Sequence, residues 1–151
     1  MSLNNKISNG LKVSFNTKSF QKKDFDQRTI LKYLNGAKRD LKIASTNEEP
    51  EVIFNFSYSA LIKIGISLIA FYKHRVKSRK GHHIKILEKL SEILEDENIE
   101  IIGDKMRKKR NFDLYEGGII IAKKEVNDYL DFVKKVINNA TKYLKGQDSL
   151  F

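Results

Sequence analysis

Apolar residues recur at spacings of three and four through most of this chain, and the spacing predicts a series of amphipathic helices. In residues 24–46, Ile30, Leu34, Ala37, Leu41 and Ala44 fall on one stripe, while Lys32, Lys38, Arg39 and Lys42 occupy other faces. Asp24 or Asp26 is a good N-cap for this helix. Gly36 weakens its middle by about 1 kcal/mol relative to Ala, which helices tolerate where a neighbour crosses closely. Thr46-Asn47-Glu48-Glu49-Pro50 reads as a turn, with Pro50 suited to the first position of the next helix.

The second segment, from Glu51 to about Lys77, is the most apolar of the chain, with Val52, Ile53, Phe54, Leu61, Ile64, Leu68 and Phe71 among its members. A membrane span needs about 20 apolar residues, so insertion must be weighed. Lys63 sits in mid-run, and Asn55, Ser57, Ser59 and Ser67 interrupt the stretch. A Lys at the bilayer centre costs about 2.5–3.5 kcal/mol. Amphipathic helices on both sides favour a central helix buried on several faces, and no membrane association is expected. Its tail, Lys73 to Lys85, holds six Lys/Arg, all three histidines and no acid. Those cations either complement a helix C-terminus or form one wall of a phosphate-binding surface, with Arg75 and Arg79 as candidates. His74, His82 and His83 match no standard ligand spacing among local cations, so neither a metal nor another cofactor is expected.

A third helix is predicted over 81–94, with His83, Leu87, Leu90 and Leu94 on one stripe. Asn98 can cap a fourth, which places Ile99, Ile102 and Met106 inward and stops at Gly117-Gly118. A fifth runs from about Ala122 to Lys145 on Val126, Tyr129, Val133, Val136, Ala140 and Tyr143. The fold class is therefore all-α, an antiparallel up-and-down bundle of four to five helices over residues 24–145. Residues 1–23 form a basic N-terminal arm, poorly ordered or hairpin-like. In it Asn9-Gly10 precedes the alternating Leu11, Val13 and Phe15, and order should come from leaning on the body. Residues 146–151 read as a frayed tail.

Composition sharpens the picture. With 151 residues, 40% hydrophobic, the chain is one domain with a core large enough to need no staples. There is no cysteine, which excludes disulfides and zinc-thiolate sites and suits a cytoplasmic location. Lys+Arg 29 against Asp+Glu 19 leaves +10. That excess points to an anionic partner; the alternative is a lysine-rich solubilising surface.

The charge is densest in Lys105-Met106-Arg107-Lys108-Lys109-Arg110, followed by Asn111 and, five residues past Arg110, Tyr115. On a helix Arg107 lines up with Arg110 and Asn111, and Asn111 with Tyr115. Two guanidiniums, an amide and a phenol suit a phosphodiester by charge, forked donors and a stacking ring. The competing reading pairs Lys109 and Arg110 with Asp113 on the helix surface.

This order of segments, with Arg110-Asn111-Phe112-Asp113-Leu114-Tyr115 on the fourth helix, resembles the prokaryotic HEPN domains over about residues 27–145. The resemblance implies an all-α bundle, usually dimeric, associated with RNA cleavage, toxin–antitoxin pairs and nucleotidyltransferase partners. The family signature is an Arg, a polar residue, then a His four to six residues past the Arg. Arg110 and Asn111 match the first two, and the His position falls on Tyr115. A phenol with pKa near 10 is a poor general base at neutral pH. The family's AMPylated tyrosine would fall on Gly117, so that role is not carried over.

The expected function is binding of RNA or a nucleotide at a basic, dimeric cleft. Arg110, Asn111 and Tyr115 would be its floor and Arg107 and Lys108 its electrostatic approach, with catalysis weak or lost. The alternatives are a metal-independent endoribonuclease toxin and a non-catalytic module that docks an acidic or nucleotidyltransferase partner.

Overall fold

The structure, a computed structural model, describes residues 13–77, 80–117 and 121–147, with the backbone alone at 113–116. Five helices follow one another: α1 (Gln27–Ser45), α2 (Pro50–Phe71), α3 (His82–Leu94), α4 (Glu97–Glu116) and α5 (Lys123–Gln147). The only other regular elements among the described residues are the short strands β1 (Phe20–Lys22) and β2 (His74–Val76). The all-α bundle that the periodicity predicts is what forms.

Local chemistry sets the boundaries. Asp26 accepts a hydrogen bond from the Thr29 amide at 2.8 Å and starts α1, and Pro50 opens α2. The left-handed Glu95 (φ 53°) closes α3. α2 is the centre of the molecule, packed against each of the other four helices. It is long and apolar enough to cross a membrane, yet 67% of its most apolar window is buried inside the bundle. Phe54, Tyr58, Leu61, Ile64 and Leu68 meet Leu34 and Ala37 of α1, Leu87 and Leu90 of α3, Met106 of α4 and Val133 of α5 in one core. Each buried Leu, Ile, Val, Phe or Met side chain among them contributes about 1.5–3 kcal/mol by leaving water.

α1 and α2 are antiparallel: the Ile30 carbonyl accepts from Ser67, and the Asp40 carboxylate accepts from Ser59, so one numbering falls as the other rises. α3 lies close to both α2 and α4 because glycines face it. A Cβ on Gly65 would stand 2.5 Å from Ile86 Cγ2, and one on Gly103 would stand 2.7 Å from Leu87 Cδ2.

One expectation is corrected. The second helix does not reach Lys77 but ends at Phe71, where Lys73 takes a left-handed conformation (φ 61°) and pairs with Asp24 at 2.8 Å. Past Phe71 no apolar stripe remains to reward further helix. The chain turns back instead, and α3 begins beside the middle of α2. Thirteen residues separate Phe71 from Tyr58, about 20 Å of helix, a return that ten extended residues can span. The described part of the arm pairs with the body. β1 pairs antiparallel with β2, in the register Phe20↔Val76, Gln21↔Arg75 and Lys22↔His74. Phe20 is buried, Phe15 packs edge-on to it at 5.1 Å and stacks on His74 at 4.1 Å, and the buried Lys89 ammonium binds the Ser14 carbonyl and Glu92. Leaning on the body therefore orders this segment; Asn9, Gly10 and Leu11 lie outside the described residues.

Candidate functional site: a basic cleft at Arg110

One face of α2 departs from the apolar rule. Asn55, Tyr58, Ser59, Ile62, Lys63 and Ile66 follow the i, i+3, i+4, i+7 pattern and so share one side of the helix. Tyr33 of α1, His83 of α3 and Arg110 of α4 face them, and together they line an open cleft of about 540 Å³. α1 supplies one wall by packing antiparallel on α2. The return of the chain after Phe71 delivers His83, and the turn between α3 and α4 brings Arg110 up on the same side.

On the cleft floor the Tyr58 hydroxyl and His83 Nδ1 are hydrogen-bonded at 2.9 Å. The Arg110 guanidinium lies over the Tyr58 ring, 5.6 Å from its centroid, in cation–π geometry. Tyr58 is almost wholly buried, and burial pushes its phenol up to about 12, partly opposed by Arg110 and Arg107, so it keeps its proton at neutral pH. Burial pushes His83 down to about 4, helped by the charges of His82, Arg110 and Arg107. Its imidazole is uncharged near pH 7. Nε2 carries a lone pair when Nδ1 donates to Tyr58, and a proton when Tyr58 donates to Nδ1.

At the rim, Lys63 Nζ sits 2.7 Å from Asp40 Oδ2, and Ser59 donates to the same oxygen at 2.7 Å. Asp40 is 2% exposed. Burial would raise its carboxyl, but the bonds from Lys63 and Ser59 outweigh it and hold the group below the ordinary carboxylate range. The ammonium is thereby fixed at the cleft edge while Lys63 remains partly exposed.

The residues singled out from the sequence scatter. Arg110 lines the cleft. Asn111 is exposed, and Tyr115 lies on α4 with its side chain outside those described. Arg107 pairs with Asp104 at 2.9 Å and Lys108 with the same carboxylate at 3.1 Å, along a neighbouring groove shared with Ile84, Ile101 and Lys105. Arg107 still acts on Tyr58 and His83 through its charge. Lys109 pairs with Glu125 of α5 at 3.3 Å; the Asp113 side chain is outside those described. Arg75 is hydrogen-bonded to Gln21 across the small sheet, away from the residues of the Arg110 cleft, and Arg79 lies outside the described residues. His74 binds the Tyr72 carbonyl through Nδ1 and stacks on Phe15, so it does not converge with His83. Among the described residues no group of three metal-ligating side chains assembles.

The residues missed by sequence reasoning are Tyr33, Tyr58, Ser59 and Lys63; His83 was singled out, but nothing in its spacing required it to meet Arg110. The signal was present for the α2 members. Asn55, Ser59 and Lys63 recur every fourth residue in a largely apolar helix, the mark of one face opened to solvent. No local pattern ties His83 to Arg110, which stands 27 positions away.

No protein-family model matches the chain, and no curated protein or solved structure matches it significantly. The functional reading rests on the chemistry of these side chains.

Proposed function

We propose that this helical bundle binds the phosphodiester of RNA, or of a nucleotide, in the Arg110 cleft, as its resemblance to HEPN domains implies. The observation that carries the reading is the meeting of a guanidinium, an anchored ammonium and three polar rings at one open cleft of about 540 Å³. Arg110 supplies a fork of donors to phosphate oxygens, and the net charge of +10 draws the polyanion in. The test is fluorescence anisotropy of a short labelled RNA across a salt series. Affinity should fall steeply with salt, and Arg110→Ala should weaken binding about 10–100-fold and reduce the salt slope by about 0.7. Affinity that is flat across salt and indifferent to Arg110 would refute the reading.

A second reading, slow metal-independent cleavage, is favoured by one observation. His83 offers an uncharged imidazole beside Arg110, which Tyr115 as a phenol could not replace as general base. A phosphate bound at Arg110 adds negative charge next to His83 and raises its pKa toward neutrality, where a base is most effective. Chelator-resistant cleavage that His83→Ala and Arg110→Ala each abolish, and Tyr115→Phe leaves intact, is the expected result.

The same protein is proposed to act as a homodimer. Ile101 is 55% and Phe112 64% exposed, and eleven residues of helix bring both to one face of α4 with Lys105 and Lys108. A strict monomer by sedimentation at tens of micromolar, an order-of-magnitude choice, would contradict the dimer and leave the cleft within one chain.

A further inference from the structure

Beside the Arg110 cleft lies a second one of about 630 Å³, lined by Thr29, Lys32, Tyr33, Asn35, Gly36, Arg39 and Lys63. Tyr33 and Lys63 line both clefts. The two are therefore successive stations of one groove that crosses from α2 over α1. We propose that this groove is a track for a single-stranded polynucleotide, one nucleotide at Arg110 and the next across Tyr33 toward Arg39. This deepens the reading of the Arg110 cleft, on which it rests: the ligand is an oligomer rather than a mononucleotide.

Four structural features carry it. Each cleft falls in the size range that holds a small organic ligand. Tyr33 is half-buried at the boundary between them, whereas Tyr58 is buried under Arg110, so Tyr33 is the ring available for base stacking. Gly36 adds no side chain to the floor, where a Cβ would stand in ordinary contact with Lys63 Cδ, 3.4 Å away. The charge is one-sided. Among the described residues lining the second cleft there are three cations and no carboxylate; Asp40 is buried against Lys63, and the exposed Asp26 carboxylate is held by the Thr29 amide as the cap of α1. Arg39 is 66% exposed and reaches Asp40 at only 3.6 Å, which leaves its guanidinium facing solvent. Lys32 and Arg39, seven residues apart, place their charges about 10 Å apart along α1. Evenly tracked cations with an aromatic platform between them are what a sequence-tolerant strand binder requires.

The experiment compares ligands of increasing length on the full chain: a mononucleotide, a dinucleotide, and single-stranded RNA and DNA octamers, with an RNA duplex and an acidic peptide of equal charge as controls. The variants are Lys32→Ala/Arg39→Ala, Tyr33→Ala and Tyr33→Phe, all at accessible side chains. Affinity for the octamers should exceed that for the mononucleotide at least tenfold. Lys32→Ala/Arg39→Ala should erase most of that gain while mononucleotide binding stays at its original level. Tyr33→Ala should weaken octamer binding about tenfold, and Tyr33→Phe should restore it, because the phenyl face still stacks. RNA and DNA octamers of equal affinity place recognition in the phosphates and bases; an RNA preference adds the 2′-hydroxyl, and both sustain the track. Octamers that bind no better than the mononucleotide overturn the track and leave the Arg110 cleft standing. Loss of every nucleotide ligand removes both. Equal binding of the duplex or of the acidic peptide also overturns the track, the latter in favour of a protein partner.

Discussion

His83 is the residue on which the chemistry of the cleft turns, and its protonation makes the first prediction. Its folded pKa of about 4, depressed by burial and then by His82, Arg110 and Arg107, lies below the ordinary value near 6.5. The unfolded chain therefore takes up a proton at this position before the folded one does. Its contribution to stability is full above about pH 6.5 and is lost as the pH falls from there toward 4. His83→Gln keeps a partner for the Tyr58 hydroxyl but cannot titrate, so the fall of Tm between pH 6.5 and 4 should become shallower. An unchanged slope would mean that the imidazole titrates alike in both states. Asp40 acts in a lower window. Burial raises its carboxyl, the Lys63 and Ser59 bonds more than reverse this, and its stabilisation is full above the ordinary carboxylate range and is lost as the pH falls through that range and below it. Asp40→Ala would leave the Lys63 ammonium without its partner and should cost about 3 kcal/mol, the low end for breaking a buried pair because Lys63 is partly exposed. Urea unfolding at pH 7 measures it, and a loss below roughly 1 kcal/mol, the scale of a surface pair, would show that Lys63 is satisfied by water alone.

At the scale of elements, α2 explains both the core and the cleft. Its apolar sides hold the bundle, and its one polar stripe opens where α1, α3 and α4 stand off. The close approach of α3 depends on Gly65, since a methyl there would lie 2.5 Å from Ile86 Cγ2. Gly65→Ala should therefore destabilise by about 1–3 kcal/mol through overpacking, despite the better helix propensity of Ala. A Tm equal to or above the parent would show that α3 can withdraw freely. The four amphipathic helices were legible from spacing: Asp26 caps α1, Leu94 ends α3, and Ala122 to Lys145 differs from Lys123–Gln147 by one residue at the start and two at the end. The end of α2 was not, because cations at 73–77 suit a helix C-terminus as well as the extended return that Lys73 begins. Asn55, Ser59 and Lys63 were visible as interruptions of a membrane-length run. Their role as a cleft wall depends on which neighbours face them, and sequence spacing within one helix does not carry that. Arg110 stood out by charge density and by the resemblance of Arg110-Asn111 to the HEPN signature. His83 could not be joined to it until the chain's return past Phe71 was known.

For the whole molecule, the net charge of +10 becomes informative through its placement. Much of the dense run on α4 is spent within the protein: Arg107 and Lys108 on Asp104, and Lys109 on Glu125. Arg110 instead meets the cleft, where it joins Lys63, and Lys32 and Arg39 continue the positive surface over α1. The central claim is that a polynucleotide phosphate is bound there. Equilibrium anisotropy of a labelled single-stranded RNA octamer, for the parent and Arg110→Ala at several salt concentrations, tests it most directly. The account predicts a linear fall of log affinity with log salt, with Arg110→Ala weaker about 10–100-fold and shallower by about 0.7. Parallel lines of equal affinity for the two proteins would contradict it.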